Sequence, residues 1–147
     1  MVQNALGYET KYKYGDTSNP IEITDALGNT TQMVYDQNGN VLEVVAPDNS
    51  KTINVYDNLN RLIKMTDAAG LVTEYEYDVM NRLVCQKDNT GKKTIYEYDK
   101  AGRLVKMTNA LGETTSYTYD LAGNILSSTT FDGNVTTYTY NKLGKVT

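Results

Sequence analysis

Tyrosine followed by aspartate recurs every 21 residues, and both side-chain types could bind a ligand. Tyrosine rings can stack on sugars or line a peptide groove, and carboxylate oxygens are the ligands that Ca²⁺ prefers. Tyr14 and Tyr140 extend the series, with Gly15 and Asn141 in the aspartate position. Seven copies of the unit account for all 147 residues. The five intact pairs are Tyr35-Asp36, Tyr56-Asp57, Tyr77-Asp78, Tyr98-Asp99 and Tyr119-Asp120.

The spacing of the aspartates favours turns over a calcium site. Gly or Asn stands three residues after each aspartate, as in Asp99 to Gly102. Asp or Asn at the first position caps a type I turn through its side chain, and Gly or Asn tolerates the positive φ that follows. One carboxylate per turn does not match an EF-hand loop or a calcium-binding nonapeptide repeat. We therefore expect no metal or cofactor, and we expect these turn caps: Asp36, Asp57, Asp78, Asp99 and Asp120.

In three copies an arginine stands four residues after the turn aspartate. The three pairs are Asp57 with Arg61, Asp78 with Arg82 and Asp99 with Arg103. We expect exposed ion pairs across the turn, each contributing less than ~1 kcal/mol.

The tyrosines fall into two columns of one predicted strand. Thr94, Tyr96 and Tyr98 are two residues apart, which places them on one face of an extended strand. Side chains that bind a ligand need not recur in every copy, so we expect a structural ladder; a sugar- or peptide-binding groove is the alternative. Buried phenols need hydrogen-bond partners, which turn backbone or neighbouring threonines would supply. The ladder comprises Tyr14, Tyr35, Tyr56, Tyr75, Tyr77, Tyr96, Tyr98, Tyr117, Tyr119, Tyr138 and Tyr140, and it is expected to pack against Ile63, Met65, Val105 and Met107.

A second turn and a second short strand complete each unit. The strands include Val41–Val44, Leu62–Met65 and Leu104–Met107. With two strands and two turns per copy, the sequence predicts an all-β fold of about fourteen short antiparallel strands. The second turns begin at Asn4, Asp25, Ala46, Asp67, Asp88 and Asn109. Residues 1–147 are expected to form a single array, as a segment of a longer chain.

Composition excludes several classes of function. The net charge is -4 with a pI of about 4.8, which argues against a nucleic-acid partner. Histidine is absent and no nucleophile–base–acid set is visible, so we expect no enzymatic activity. No apolar run approaches the ~20 residues that span a membrane. Cys85 is the single cysteine, expected to be buried as a small apolar side chain.

The core of the unit resembles the YD repeat of the RHS family. The pattern Tyr-x-Tyr-Asp-x-x-Gly-Arg-Leu is intact from Tyr96 to Leu104, and the resemblance covers essentially the whole chain. Only the first copy departs much, with Gly15 to Pro20 in place of the usual turn. The resemblance implies β-hairpins that spiral into a β-solenoid or open shell. It also implies relatives among secreted bacterial toxins, whose shell encloses a toxin, and among animal cell-surface adhesion proteins. The self-cleavage segment typical of the family is not recognisable here, so no protease role is carried over.

We therefore expect a non-enzymatic structural module of a secreted or cell-surface protein, forming part of a toxin-enclosing shell or an extracellular rod. A cell-surface module that binds glycans or a protein is the alternative. Because 147 residues are seven whole periods, Thr147 of one molecule is in register with Met1 of the next. Uncapped terminal strands invite edge pairing, so head-to-tail self-association is expected.

Overall fold

The computed structural model describes residues 2–3, 9–141 and 143–147. The turn predicted at Asn4 lies outside the described residues. Within them every regular element is a strand, and β1 to β14 are, in order, Val2–Gln3, Glu9–Tyr14, Pro20–Thr24, Thr30–Tyr35, Val41–Val45, Lys51–Tyr56, Leu62–Thr66, Val72–Tyr77, Leu83–Lys87, Lys93–Tyr98, Leu104–Thr108, Thr114–Tyr119, Ile125–Thr129 and Val135–Thr137. The all-β prediction, with two short strands per copy, is confirmed.

Five of the copies fold as an antiparallel hairpin with a bulge close to the turn. In the hairpin of β6 and β7, Asn54 lies opposite Met65 and Tyr56 lies opposite Leu62. The register shifts between Val55 and Tyr56, which leaves Ile63 without an opposite residue. An extra residue of this kind increases the local twist of the strand. The register thus places Met65 on the tyrosine face, as predicted, whereas Ile63 is the bulged residue.

Consecutive hairpins are joined by a shorter ladder than the one inside each hairpin. Strands β5 and β6 pair only from Glu43 opposite Ile53 to Val45 opposite Lys51. The other end of β5, at Val41, lies beside β6 without ladder hydrogen bonds to it. Each hairpin is therefore hydrogen-bonded to the next through backbone groups at one end of its strands. Side chains must complete the contact at the other end, which carries the Tyr-Asp turns.

The chain divides into two compact units, Met1–Glu74 and Tyr75–Thr147, and strand order follows chain order in each. In β6 and β10, alternation along the strand separates a half-buried face from an exposed one. In β6, Tyr56 is half-buried, whereas Ile53 and Val55 remain 44% and 43% exposed. Among the described residues only Cys85 and Thr115 are buried, each with 7% of its surface exposed. Each unit is therefore stabilised mainly by contacts between neighbouring strands and turns; the burial predicted for Cys85 is confirmed.

Candidate functional site: the tyrosine–aspartate edge

The turn aspartates hold the backbone of the hairpin loop. Asp57 Oδ1 accepts hydrogen bonds from the amides of Leu59 and Arg61, at 2.9 and 3.0 Å. Two backbone bonds close the same loop, from Asp57 N to Arg61 O and from Asn60 N to Asp57 O. Asn60 has a φ of 61°, a left-handed conformation that Asn tolerates better than most residues. The carboxylate therefore contributes to local backbone order at each turn in which it recurs.

The ion pairs predicted across the turns are present, but they are half-buried rather than exposed. Arg82 Nη2 lies 2.6 Å from Asp78 Oδ2, and Arg82 Nε donates to the same oxygen at 2.7 Å. The two side chains are 25% and 20% exposed. The arginine is covered because its guanidinium group lies against the next copy, which the sequence analysis did not anticipate.

Two arginine side chains of the second unit, Arg82 and Arg103, each connect their own turn to the turn of the following copy. The Arg82 guanidinium lies 4.7 Å from the ring centre of Tyr98, and its Nη1 donates to the carbonyl of Asp99 at 3.1 Å. Arg103 repeats both contacts, with Tyr119 at 4.7 Å and the carbonyl of Asp120 at 2.8 Å. One arginine thus makes an ion pair, a cation–π contact and a hydrogen bond to two successive copies. We call this arrangement the arginine clamp.

The tyrosine hydroxyls make a second connection between copies. Tyr98 donates to the carbonyl of Leu83 at 2.9 Å, and Tyr119 donates to that of Leu104 at 2.7 Å. The acceptor is the first residue of the preceding hairpin's second strand, where the ladder between hairpins has ended. The same bond joins Tyr35 to Pro20, Tyr56 to Val41 and Tyr140 to Ile125. For these five phenols, the acceptors are strand carbonyls rather than the turn backbone or threonines expected from the sequence.

Sequence reasoning missed the role of the arginines and of these carbonyls. A signal was present, since Arg61, Arg82 and Arg103 stand 21 residues apart and each precedes the next Tyr-Asp tyrosine by 16 residues. At Asn40, where asparagine replaces arginine, shorter contacts replace the clamp. Asn40 Nδ2 donates to Asp36 Oδ2 and to Asn60 Oδ1, both at 2.8 Å.

Replacing Arg103 with alanine is expected to lower the free energy of unfolding by about 1–2 kcal/mol, because it removes a cation–π contact and a charge-assisted hydrogen bond. Arg103→Lys should recover only part of this, since an ammonium group lacks the planar fork. Urea unfolding followed by circular dichroism measures both. Lys100→Ala in the same turn is the control, exposed and expected to change stability by less than ~0.5 kcal/mol. Equal effects at Arg103 and Lys100 would contradict a stabilising role for the clamp.

The other tyrosines of the predicted ladder differ in burial. Tyr75, Tyr96, Tyr117 and Tyr138 are half-buried, as is Tyr77. Tyr14 is the most exposed member at 56%, and Tyr12 in the same strand is 37% exposed. Tyr96 lies opposite Met107, whereas Val105 is the bulged residue of its strand. The Met107 side chain therefore lies on the tyrosine face, as predicted, whereas that of Val105 is displaced by the bulge.

Hydrogen bonding lowers the pKa of nine of the described aspartates. For Asp25 the side-chain hydrogen bond from Asn29 is the main cause, followed by the backbone bond from Asn29. The Arg61 side chain is the main cause for Asp57, and the Asn124 side chain for Asp120. The nine are Asp25, Asp36, Asp48, Asp57, Asp78, Asp88, Asp99, Asp120 and Asp132. Folding therefore favours the ionised carboxylates.

The lowered pKa values predict a loss of stability in acid. The ionised carboxylates contribute fully to the free energy of unfolding above the unfolded-state carboxyl pKa of about 3.9. This contribution is lost as the pH falls toward the lower pKa values of the folded state. Urea midpoints should therefore be level from pH 7 to about 5 and fall from about pH 4 downward. Asp25→Asn combined with Asp88→Asn should flatten this fall while preserving the turns, because Asn109 caps the equivalent turn through its Oδ1. An unchanged slope in the double variant would contradict this assignment.

Other candidate chemistry is sparse within the part of the chain that the structure describes. No group of three or more His, Cys, Asp or Glu side chains there is arranged to hold a metal ion. No helix in that part is long and apolar enough to cross a membrane. The first unit contains a cleft of about 500 Å³ beside the irregular first turn, lined by residues that include Asp16, Tyr35 and Asp36.

Comparisons with known proteins agree with this geometry. The family model described as RHS Repeat matches residues 16–51, 56–86, 86–114 and 98–135. A comparison with curated proteins found no match. Among solved structures, the chain is similar to the crystal structure of TcdB2-TccC3-Cdc42, with 21% identity, a TM-score of 0.79 and 95% of this chain covered. The Photorhabdus luminescens Tc holotoxin pore matches with 21% identity, 95% coverage of this chain and a TM-score of 0.77.

At this identity the structural likeness shows a shared fold, and the chain spans 9% of the length of each of these two larger chains. The family assignment depends on the repeats themselves. Matches to the family model extend over most of the sequence, from residue 16 to residue 135, in the region where the Tyr-Asp turns recur. The chain belongs to the RHS repeat family.

Proposed function

We propose that this chain is a structural module that forms part of the wall of an RHS-type β-shell enclosing a toxin. The main observation in support is the hydrogen bond from a tyrosine hydroxyl to a carbonyl of the preceding hairpin. It recurs at Tyr35, Tyr56, Tyr98, Tyr119 and Tyr140. A wall requires each repeat to be bonded to its neighbours, and stability in such arrays comes from nearest-neighbour interfaces. Membership of the RHS repeat family supports the same function.

In such a wall the recurring residues have structural roles. The tyrosines of the ladder join adjacent hairpins, and the aspartates of the Tyr-Asp pairs cap the turns. Residues 1–147 then act as a single array of seven repeats, with no enzymatic activity of their own. An enclosing shell further implies a secreted or cell-surface protein, consistent with toxin components among the similar structures.

Cryo-electron microscopy of the protein in which these residues naturally occur tests the proposal. The expected map shows hairpins of this segment as part of a continuous wall around an enclosed domain. Limited proteolysis should leave that domain intact, and Tyr98→Ala combined with Tyr119→Ala should make it more accessible to protease. A segment that projects from the protein with nothing enclosed would refute the proposal.

A binding module is the second candidate, favoured by the half-buried tyrosine face. Tyr75, Tyr96 and Tyr117 have part of their surface exposed, and aromatic rings at such positions can stack on sugars. A glycan array and a partner pull-down, with these tyrosines replaced singly by alanine, separate the candidates. Loss of a bound glycan or protein in a variant whose circular dichroism is unchanged would favour binding; no ligand for the unaltered chain would favour the wall.

Head-to-tail association of the 147-residue chain is a further part of the proposal. Continuing the period places Lys145 of one molecule in the clamp position for Tyr14 of the next, and Tyr14 is 56% exposed. Light scattering across a range of concentrations should show growth of the assembly, and Tyr14→Ala should reduce it. A strict monomer at every concentration would refute association.

A further inference from the structure

We propose that Asn38 is a modification site, at which spontaneous deamidation removes a side-chain connection between two consecutive hairpins. Asn38 is followed by Gly39, and no other asparagine of the sequence precedes a glycine. The side chain is exposed at the tip of the Tyr-Asp turn that joins β4 to β5. Water is the only co-reactant that the modification requires. This inference is independent of the proposed wall function.

The chemistry is an attack of the backbone on the side chain. The amide nitrogen of Gly39 bonds to Cγ of Asn38, the Cγ–Nδ2 bond breaks, and the amide proton leaves with Nδ2 as ammonia. Water then opens the cyclic imide. Opening at Cγ gives aspartate, whereas opening at the backbone carbonyl carbon gives isoaspartate, which adds a methylene group to the main chain. Both products carry a carboxylate in place of the neutral amide.

Glycine at the following position favours this attack. Gly39 has no Cβ to hinder the approach of its nitrogen, and its backbone reaches conformations that other residues adopt only with strain. The same nitrogen donates to the carbonyl of Asp36 at 3.2 Å, at the upper end of the usual range for such hydrogen bonds. Because this bond must break before the nitrogen attacks, the reaction begins with a local opening of an exposed turn.

The Asn38 side chain connects two successive copies. Its Nδ2 donates to Asn60 Oδ1 at 2.9 Å, and Asn40 Nδ2 donates to the same oxygen at 2.8 Å. Both bonds run from the turn of one hairpin to the turn of the next. A single side-chain oxygen of Asn60 thus accepts two hydrogen bonds that join the copies at a turn without a clamp arginine.

Deamidation removes at least one of these two bonds. A carboxylate at residue 38 accepts hydrogen bonds but does not donate them, and Asn60 Oδ1 also only accepts. If the Asn60 amide turns its NH₂ group toward the new carboxylate, Asn40 loses its acceptor. The new charge also stands two residues from the Asp36 carboxylate, whose Oδ1 accepts from the backbone amide of Asn38 at 2.9 Å. Two like charges then share one turn.

Peptide mapping by mass spectrometry, after incubation of the folded chain in mildly alkaline buffer, tests the site. We expect the mass change from amide to acid first at Asn38, with aspartyl and isoaspartyl peptides as separate chromatographic peaks. Asn58 and Asn89 are internal controls, since both are exposed in turns and each precedes a residue with a branched side chain. Deamidation should be several times slower at both controls. Equal rates at the three asparagines would overturn the proposal.

Gly39→Asn isolates the role of glycine. Asparagine fits this turn position in other copies, where Asn60 and Asn81 have φ of 61° and 64°. The added Cβ would lie 3.3 Å from Nδ2 of Asn19, the end of a side chain that can shift. The variant should therefore fold, and its deamidation at Asn38 should be several times slower. An unchanged rate in the folded variant would overturn the proposal, because the reaction would not then depend on glycine.

Asn38→Asp reproduces the aspartyl product and measures the lost connection. It should lower the equilibrium constant for folding about fivefold, the effect of losing one hydrogen bond, in urea unfolding followed by circular dichroism. Gln37→Glu is the matched control, because it makes the same change from amide to carboxylate at the exposed neighbouring position of the same turn. Equal losses in the two variants, or no loss in Asn38→Asp, would overturn the assignment of a connection to Asn38.

Discussion

Tyr98→Ala is expected to lower the free energy of unfolding by about 2–3 kcal/mol, because it removes a half-buried ring together with its hydrogen bond. The lost contacts are the bond to the carbonyl of Leu83, at 2.9 Å, and the stacking surface for Arg82. Tyr98→Phe keeps the ring and should cost about 1 kcal/mol, which isolates the hydroxyl. Urea unfolding followed by circular dichroism measures both changes.

Tyr14→Ala is the matched control, since it occupies the same column and is 56% exposed. Its expected effect is below ~1 kcal/mol. Equal losses at Tyr14 and Tyr98 would show that the connection between hairpins contributes nothing beyond strand propensity. A loss at Tyr98→Phe as large as at Tyr98→Ala would instead assign the whole effect to the hydroxyl.

Gly123→Val is expected to destabilise the chain by about 1–2 kcal/mol, because Gly123 has a φ of 93°, which a β-branched residue adopts only with strain. No atom lies within 4 Å of the Cβ that a side chain would add, so the cost reflects backbone conformation rather than a clash. Thermal and urea unfolding give the loss.

Gly123→Asn separates conformation from side-chain size. Asn60 and Asn81 occupy the same turn position in other copies, with φ of 61° and 64°. The asparagine variant should therefore be within a few tenths of a kcal/mol of the unaltered chain. Equal destabilisation by valine and asparagine would show that the positive φ does not determine which residues this turn tolerates.

Local structure followed closely from the sequence. The strands predicted at Val41–Val44 and Leu62–Met65 are each one residue longer in the structure, at Val41–Val45 and Leu62–Thr66. These predictions succeeded because strand alternation and turn chemistry depend on residues only a few positions apart. The acceptors of the phenols were not predictable in this way. They depend on where the ladder between hairpins ends and where the bulge falls, for which the turn motifs provide no signal.

The arginine clamp shows the same limit. The sequence indicated a pairing of Arg82 with Asp78, four residues away, and that pairing is present. It did not indicate the contacts with Tyr98 and Asp99, 16 and 17 residues away, because those exist only once two hairpins lie side by side. The expectation that the ion pair is exposed was wrong for this reason: the neighbouring copy covers the guanidinium group.

The 21-residue period, the all-β fold, the turns at the aspartates and membership of a repeat family could all be predicted without coordinates, since they arise from short-range patterns that are repeated. The tertiary structure was needed to show how one copy is bonded to the next, through the hydroxyl of Tyr98 to the carbonyl of Leu83 and through Arg82 to the carbonyl of Asp99. An interface between hairpins depends on the strand register and on how far side chains reach across neighbouring strands. Those two quantities are fixed only when the copies are packed together.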